Sequence, residues 1–368
     1  MLETGLTLIT LMTAATVLGL AYSVDPDAVI VEPIQVPLPL EEMGLSSIVV
    51  SDRVAAEMHR IHDLTETNEQ GRGVGLGGEK NIVAALEEEL NVSGPVWIVR
   101  KQLGIEQYKI QGEIVAWGDE LEFRLRGHPP GGRMKVAVER GTLENFERLI
   151  SKAAEEVFRM VDPYVLAAYY YHREEHEGDF TETLGAIQAG MDPDQADIHQ
   201  AHNLKRLHNP WARVLIADYD YDGAIAKLEM ALALDPSYAA AYQTWGEVLH
   251  AQARYREAIE MCRRAVELDP NLHGAYSMWG NALTALGYED EGERARAISE
   301  ALNPNNAHAY FERGDLYYRL GRYEAALREY ERGIAIDPLD DRHDYNVAKT
   351  RTRLGLAELE KFHAYRGM

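Results

Sequence analysis

The sequence predicts an α+β chain: an amino-terminal transmembrane helix, a small α/β sandwich domain, and then an all-α solenoid closed by a capping helix. Three observations carry this reading. Pro236, Pro270, Pro304 and Pro338 stand 34 residues apart, three preceded by Asp and one by Asn, with an Ala- and Leu-rich stretch long enough for two helices before each. A fixed period of this length marks units that cannot bury their apolar faces alone and must stack. Upstream, apolar and polar residues alternate in the manner of strands, and residues 4–23 form an uncharged run.

That run, Thr4 to Ser23, has the 20 residues that span a bilayer as a helix. Ala15 and Gly19 form a small-xxx-small pair, and Thr4, Thr7, Thr10, Thr13 and Thr16 recur every third residue, a pattern through which transmembrane helices pack closely. The expected partners are the lipid bilayer and, through Ala15 and Gly19, other transmembrane helices. A cleaved secretory signal is the alternative, with Gly19 and Ala21 before the cut. The lack of Lys or Arg ahead of the run, and the presence of Glu3 there, favour an uncleaved anchor. The first basic residue is Arg53, so nothing holds the carboxy-terminal side in the cytoplasm. The expectation is a single-pass inner-membrane protein with its bulk in the periplasm; a cytoplasmic-facing bulk is the alternative.

The α/β domain is read over residues 28–160. Val29, Ile30, Val31 and Ile34 mark a strand, with Pro33 at an edge or bulge. Residues 35–45 read as a loop on account of Pro37 and Pro39. Val49, Val50, Val54, Ala55, Met58 and Ile61 recur at helical spacing, and residues 81–90 suit a short helix. Tyr108, Ile110 and Ile114 alternate with polar residues, Gly118-Asp119 makes a tight turn, and Leu121, Phe123 and Leu125 alternate again. A Pro- and Gly-rich turn at residues 128–132 leads into Met134, Val136 and Val138. Such alternation predicts a sheet with one wet face. The stripe Leu143, Phe146, Leu149, Ile150, Ala153, Ala154 and Phe158, with Thr142 as N-cap, predicts the helix that covers the other. The segments VIVEPIQVP and YKIQGEIVAWGDELEFRLR resemble the α/β domain at the amino terminus of TolB. That resemblance implies a bacterial envelope or regulatory protein and supplies no active site.

Residues 162–204 read as a degenerate helical pair and linker, and residues 205–338 as four repeats beginning at Lys205, Ala239, His273 and Ala307. The eighth residues are Ala212, Gly246, Gly280 and Gly314; the twentieth are Ala224, Ala258, Gly292 and Ala326; the twenty-seventh are Ala231, Ala265, Ser299 and Gly333. With the 34-residue period and the first-helix aromatics Tyr242, Trp245, Tyr276, Trp279 and Tyr310, this pattern resembles the tetratricopeptide repeat (TPR). The resemblance implies a groove lined by first-helix positions two, five, nine and twelve. It would present Asn209 and Arg213; Gln243, Glu247 and His250; Ser277, Asn281 and Thr284; and Phe311, Asp315 and Tyr318. No Lys stands at position five, which speaks against the family's carboxylate clamp; an extended peptide or a partner helix suits this mixed surface. Residues 339–368 are expected to hold a capping helix, from Asp341 to His363.

The chemistry of sites is thin. His172-Arg-Glu-Glu-His176 fits H-x-x-E-H, in which two His on one helix face hold zinc and Glu175 serves as base. Polar surface at a helix end is the competing reading, and His199 and His202 invite the same comparison. Residues 71–80 are glycine-rich, but Gly78 is followed by Glu79 where a phosphate loop needs Lys. Cys262 is the single cysteine, so no intrachain disulfide forms, and its place in a repeat helix makes it a core residue. The formal net charge is −23, with −18 of it before residue 205. No basic cluster offers a phosphate-binding surface, which argues against nucleic acid. The reading is thus a membrane-anchored, non-enzymatic adaptor without cofactor that binds other proteins through the groove. The alternatives are a structural subunit of a larger membrane complex and, more remotely, a zinc hydrolase.

Overall fold

The computed structural model describes residues 29–66, 108–129, 132–175, 178–192, 198–336 and 346–355. They fall into two compact units, one comprising described residues up to Thr65 together with 108–170 and 181–207, the other comprising 171–180 and the residues from His208 onward.

The first unit is built on a four-stranded sheet in the order β1 (Val29–Val31), β2 (Tyr108–Trp117), β3 (Glu120–His128), β4 (Lys135–Thr142). β1 runs parallel to β2, and the remaining pairs are antiparallel. Pro33 interrupts the first strand, as a residue without an amide donor does, and pairing resumes where Gln35 bonds both Gly112 and Ile114. The two-residue turn between β2 and β3 puts Gly118 at φ +62°, a conformation that favours glycine. Residues expected as a loop contain a short helix, α1 (Leu38–Glu42), because Pro39 sits in its first turn, where a missing N–H is harmless.

α2 (Ser47–Glu66) buries Val50, Val54, Met58 and Ile61, and Ser51 Oγ accepts from the Ile34 amide at 2.9 Å. A 3₁₀ turn, Leu143–Asn145, leads into α3 (Phe146–Val161). Phe146, Leu149, Ile150, Ala153, Ala154 and Phe158 are buried as the stripe demands, whereas Thr142 makes no side-chain cap bond. The fourth strand departs from the simple alternation. Val136 and Val138 are exposed, since they pair with Arg126 and Arg124 on the wet face, and Glu139 falls opposite Phe123. Desolvation and the nearby Glu156 hold the Glu139 carboxyl above its usual range.

α4 (Pro163–Glu174) and α5 (Thr181–Met191) form the helical pair ahead of the repeats. α6 (Ile198–Ala217) begins seven residues before the expected unit boundary at Lys205 and runs through Pro210. The second unit then alternates first and second repeat helices: α7 (Tyr221–Leu234), α8 (Ala239–Ala251), α9 (Tyr255–Leu268), α10 (His273–Ala285), α11 (Glu289–Leu302), α12 (Ala307–Arg319) and α13 (Tyr323–Ile336). Residues 346–355 are also helical, and Val347 packs with Phe311, Ala326 and Tyr330. The rest of the expected capping helix lies outside the described residues.

Small residues let each pair of repeat helices approach at the crossing. A Cβ on Gly280 would stand 2.7 Å from the Gly292 carbonyl oxygen, and one on Gly246 would stand 2.8 Å from Cys262 Sγ. Cys262 is wholly buried, and burial pushes its thiol well up, so it packs as an apolar residue. Two buried guanidiniums tie the later crossings. Arg296 donates to the Gly280 carbonyl (3.2 Å) and Thr284 Oγ1 (2.7 Å), while Arg313 bridges Glu329 and Glu300 at 2.7 and 2.8 Å.

The expected membrane span requires correction. Among the described residues no helix is long and apolar enough to cross a membrane. The two 20-residue helices, α2 and α6, carry charges along their length: α2 includes Asp52, Arg53, Glu57 and Arg60, and α6 includes Lys205, Arg206 and Arg213. The fold class is therefore mostly helical, with a small sheet and a helical-repeat region, and a single-pass inner-membrane location is not supported. Residues 4–23, with Ala15 and Gly19, lie outside the described residues, as do residues 71–90.

The crossing makes a paired prediction. Gly280→Ala drives a methyl group into a backbone carbonyl and should cost about 1–3 kcal/mol. Gly185→Ala, in α5 with nothing within 4 Å of the new methyl, should gain about 0.5–1 kcal/mol. Chemical-denaturation midpoints of the two variants would show opposite shifts; equal shifts would contradict the account of the crossing.

Candidate functional site

A hollow of about 290 Å³ opens on the first-helix side of the repeats. Helical spacing assembles its wall. α8 contributes Gln243, Glu247 and His250, at i, i+4 and i+7; α10 contributes Gly274, Ser277, Met278 and Asn281, at i, i+3, i+4 and i+7; and α12 contributes His308, Glu312, Asp315 and Arg319. Arg213 and Ile216 enter from α6, and Tyr171, His172 and Glu175 from the end of α4 and the turn after it.

A chain of polar contacts runs through the wall. Gln243 Nε2 donates to Glu247 Oε1 at 3.0 Å, and Arg213 Nη2 donates to the same oxygen at 3.2 Å. His308 Nε2 lies 3.5 Å from Glu312 Oε1, His172 Nδ1 lies 3.5 Å from Glu175 Oε2, and the two imidazoles meet edge to face at 6.4 Å. Tyr330 Oη donates to Asp315 Oδ1 at 2.5 Å. Gly274 keeps the floor open: a Cβ there would stand 2.7–2.9 Å from the Gln243 amide.

The three histidines divide by environment. Desolvation lowers His250 to about 4 and holds His172 below its ordinary range despite Glu175 beside it. The protein wall also disfavours a charged His308, but Glu312 and then Glu175 outweigh it and raise the group to about 9. Glu312 is held low in turn, since His308 overcomes the desolvation that works against its charge. At neutral pH the hollow therefore holds one imidazolium and two neutral imidazoles.

Of the groove residues expected from sequence, Arg213, Gln243, Glu247, His250, Ser277, Asn281 and Asp315 line this hollow. Four do not. Asn209 is buried elsewhere, and Thr284 accepts from Arg296 inside the helix crossing. Phe311 packs in the core beside Gly333, and Tyr318 meets the Tyr323 ring at 5.5 Å, with Lys349 over its face at 4.7 Å. Sequence reasoning missed His308, Glu312 and Arg319. His308 and Gly274 occupy position two of their units, so the repeat pattern already held that signal. Glu312 and Arg319 stand one residue beyond the positions used, because α12 turns a slightly different face inward.

The H-x-x-E-H stretch divides. His172 and Glu175 line the hollow, and His176 lies outside the described residues. Among the described residues no three His, Cys, Asp or Glu side chains are placed to hold a metal ion.

Two family models, both described as tetratricopeptide repeat, match the chain over residues 215–278 and 307–340. The chain carries tetratricopeptide repeats over these residues. Neither TPR model extends into the sheet-bearing unit. No curated protein matches the chain. Among similar solved structures is TTC0263, a thermophilic TPR protein of Thermus thermophilus, at 18% identity over 52% of this chain and 99% of that one, with a TM-score of 0.42. Two structures of MamA are also similar. One has 24% identity over 44% of this chain and 90% of that one, with a TM-score of 0.30; the other has 19% over 46% and 95%, with a TM-score of 0.29. TPR arrays serve as protein-interaction scaffolds, offering one continuous surface along their stacked helices.

The His308–Glu312 pair gives a titration test. A group raised in the fold adds stability that is complete below its unfolded value, about 6.5, and is lost as pH rises through about 9. Histidine ring resonances should follow His308 to that value, and Glu312→Gln should bring its midpoint down to the ordinary range or below. An unchanged midpoint would show that Glu312 does not hold the charge.

Proposed function

We propose that this protein is a non-enzymatic scaffold that docks an extended segment of another protein along the first helices of its repeats. The observation that carries the proposal is convergence: α8, α10 and α12, from three successive units, each turn polar side chains into one hollow. A repeat array whose first helices served only for stacking would have no reason to gather Gln243, Glu247, Ser277, Asn281, Glu312 and Asp315 on one wall. The mixture of acids, bases and amides suits a segment that offers main-chain amides and varied side chains, and it suits a purely apolar helix face poorly. Small residues at the crossings stiffen the array, so docking would need little rearrangement of the wall.

Selection of displayed random heptapeptides on the full chain tests this. Selected peptides should bind the wild type and lose at least tenfold in affinity, about 1.4 kcal/mol, with Ser277→Arg, which fills the hollow. They should bind Arg264→Ala, altered at an exposed residue of α9, as they bind the wild type. Peptides indifferent to Ser277→Arg would place docking elsewhere on the surface.

A further inference from the structure

Gln243 and Asn281 are only 4% and 2% exposed, yet Gln243 Oε1 and Asn281 Oδ1 have no hydrogen-bond partner among the described residues, and His250 Nε2 is in the same position. All three residues line the hollow. Buried acceptors are almost always satisfied, because leaving one without a donor forfeits the bond it made with water. Three such atoms line this one hollow, on two adjacent first helices.

The orientation of Gln243 follows from its neighbours. Its Nε2 donates to Glu247 Oε1, so turning the amide over would set oxygen against oxygen. Gly274 leaves the amide just enough room. What Gln243 Oε1 lacks is therefore a donor. The hollow's fixed charges point the same way. Glu175, Glu247, Glu312 and Asp315 outnumber Arg213, Arg319 and the protonated His308 by one, with Arg213 and Glu247 paired to each other. The volume equals that of about ten waters at about 30 Å³ each, which is room for one long side chain.

We infer that the hollow receives a cationic, donor-rich side chain of the docked segment, an arginine or a lysine, with Gln243 Oε1 and Asn281 Oδ1 as its acceptors. This identification of the partner's chemistry rests on the docking role proposed above. An anionic group would meet Gln243 Oε1, which the bond from Nε2 to Glu247 holds in place, at the buried end. A guanidinium or ammonium supplies donors alone and complements both the amide oxygens and the carboxylates.

Calorimetric titration of the full chain with Nα-acetyl-arginine amide, Nα-acetyl-citrulline amide and Nα-acetyl-glutamate amide tests the inference. The arginine probe should bind at one saturable site, the neutral citrulline probe at least tenfold more weakly, and the glutamate probe not at all. Gln243→Leu and Asn281→Leu should each weaken arginine binding about tenfold, and Asn281→Asp should tighten it several-fold. If a Leu variant fails to melt cooperatively, Gly274→Ala, which pushes the Gln243 amide aside, should give the same loss. Absence of saturable arginine binding to the folded wild type, equal binding of citrulline, or indifference to every variant would overturn the inference and indicate that water fills the hollow. Displayed peptides that dock on the repeats without Arg or Lys enrichment would leave the docking role standing and remove this one. Arginine binding without any docked peptide would do the reverse.

Discussion

The close approach of Gly280 to Gly292 is the contact on which the repeat unit depends. Each glycine sits so near the other's carbonyl oxygen, within 2.7–2.8 Å of where a Cβ would be, that only backbone fits between them. Gly246 against Cys262, and Gly314 against the Tyr330 ring, repeat the arrangement with a side chain filling what the missing Cβ leaves. Dispersion falls away steeply with separation, so close crossings gain contact along the whole helix pair. They also set the spacing of the first helices, and with it the width of the hollow.

Charge is buried where those crossings need satisfaction and left unbalanced where they do not. Arg296 and Arg313 lie in the interior against carbonyl, hydroxyl and carboxylate oxygens, an arrangement whose disruption would strand a buried charge. The wall of the hollow behaves differently. Its two histidine–glutamate pairs, His308–Glu312 and His172–Glu175, stand at 3.5 Å, and two of its buried amide oxygens are unmet. Interior polar groups here serve packing, whereas those of the hollow stay available to something from outside.

Much of the repeat region was legible in the sequence because spacing and residue size determine it. The 34-residue proline ladder and the small residues at positions eight and twenty encode helix pairs that can cross closely, and the structure places helices there. The lining of the hollow was legible only in part. A position number says which face of a helix is turned inward to within about a residue, so Asp315 reached the hollow while Phe311 and Tyr318, on the same helix, did not. Thr284 was lost to a partner, Arg296, whose burial no local pattern announces. His172 and Glu175 come from a helix before the repeats and the turn after it, and only the fold brings them to α12. In the sheet, Val136 and Val138 read as a core face, yet pairing with Arg126 and Arg124 turned them outward; register across a turn of several residues is not written in the alternation itself.

The most direct test of the central claim, that the hollow between α8, α10 and α12 is where a partner segment docks, is a crystal structure of the full chain with a selected peptide bound. Docking there places peptide density in the hollow, with a donor group within hydrogen-bond distance of both Gln243 Oε1 and Asn281 Oδ1. Peptide density on the second-helix face, with the hollow filled only by water, would contradict it.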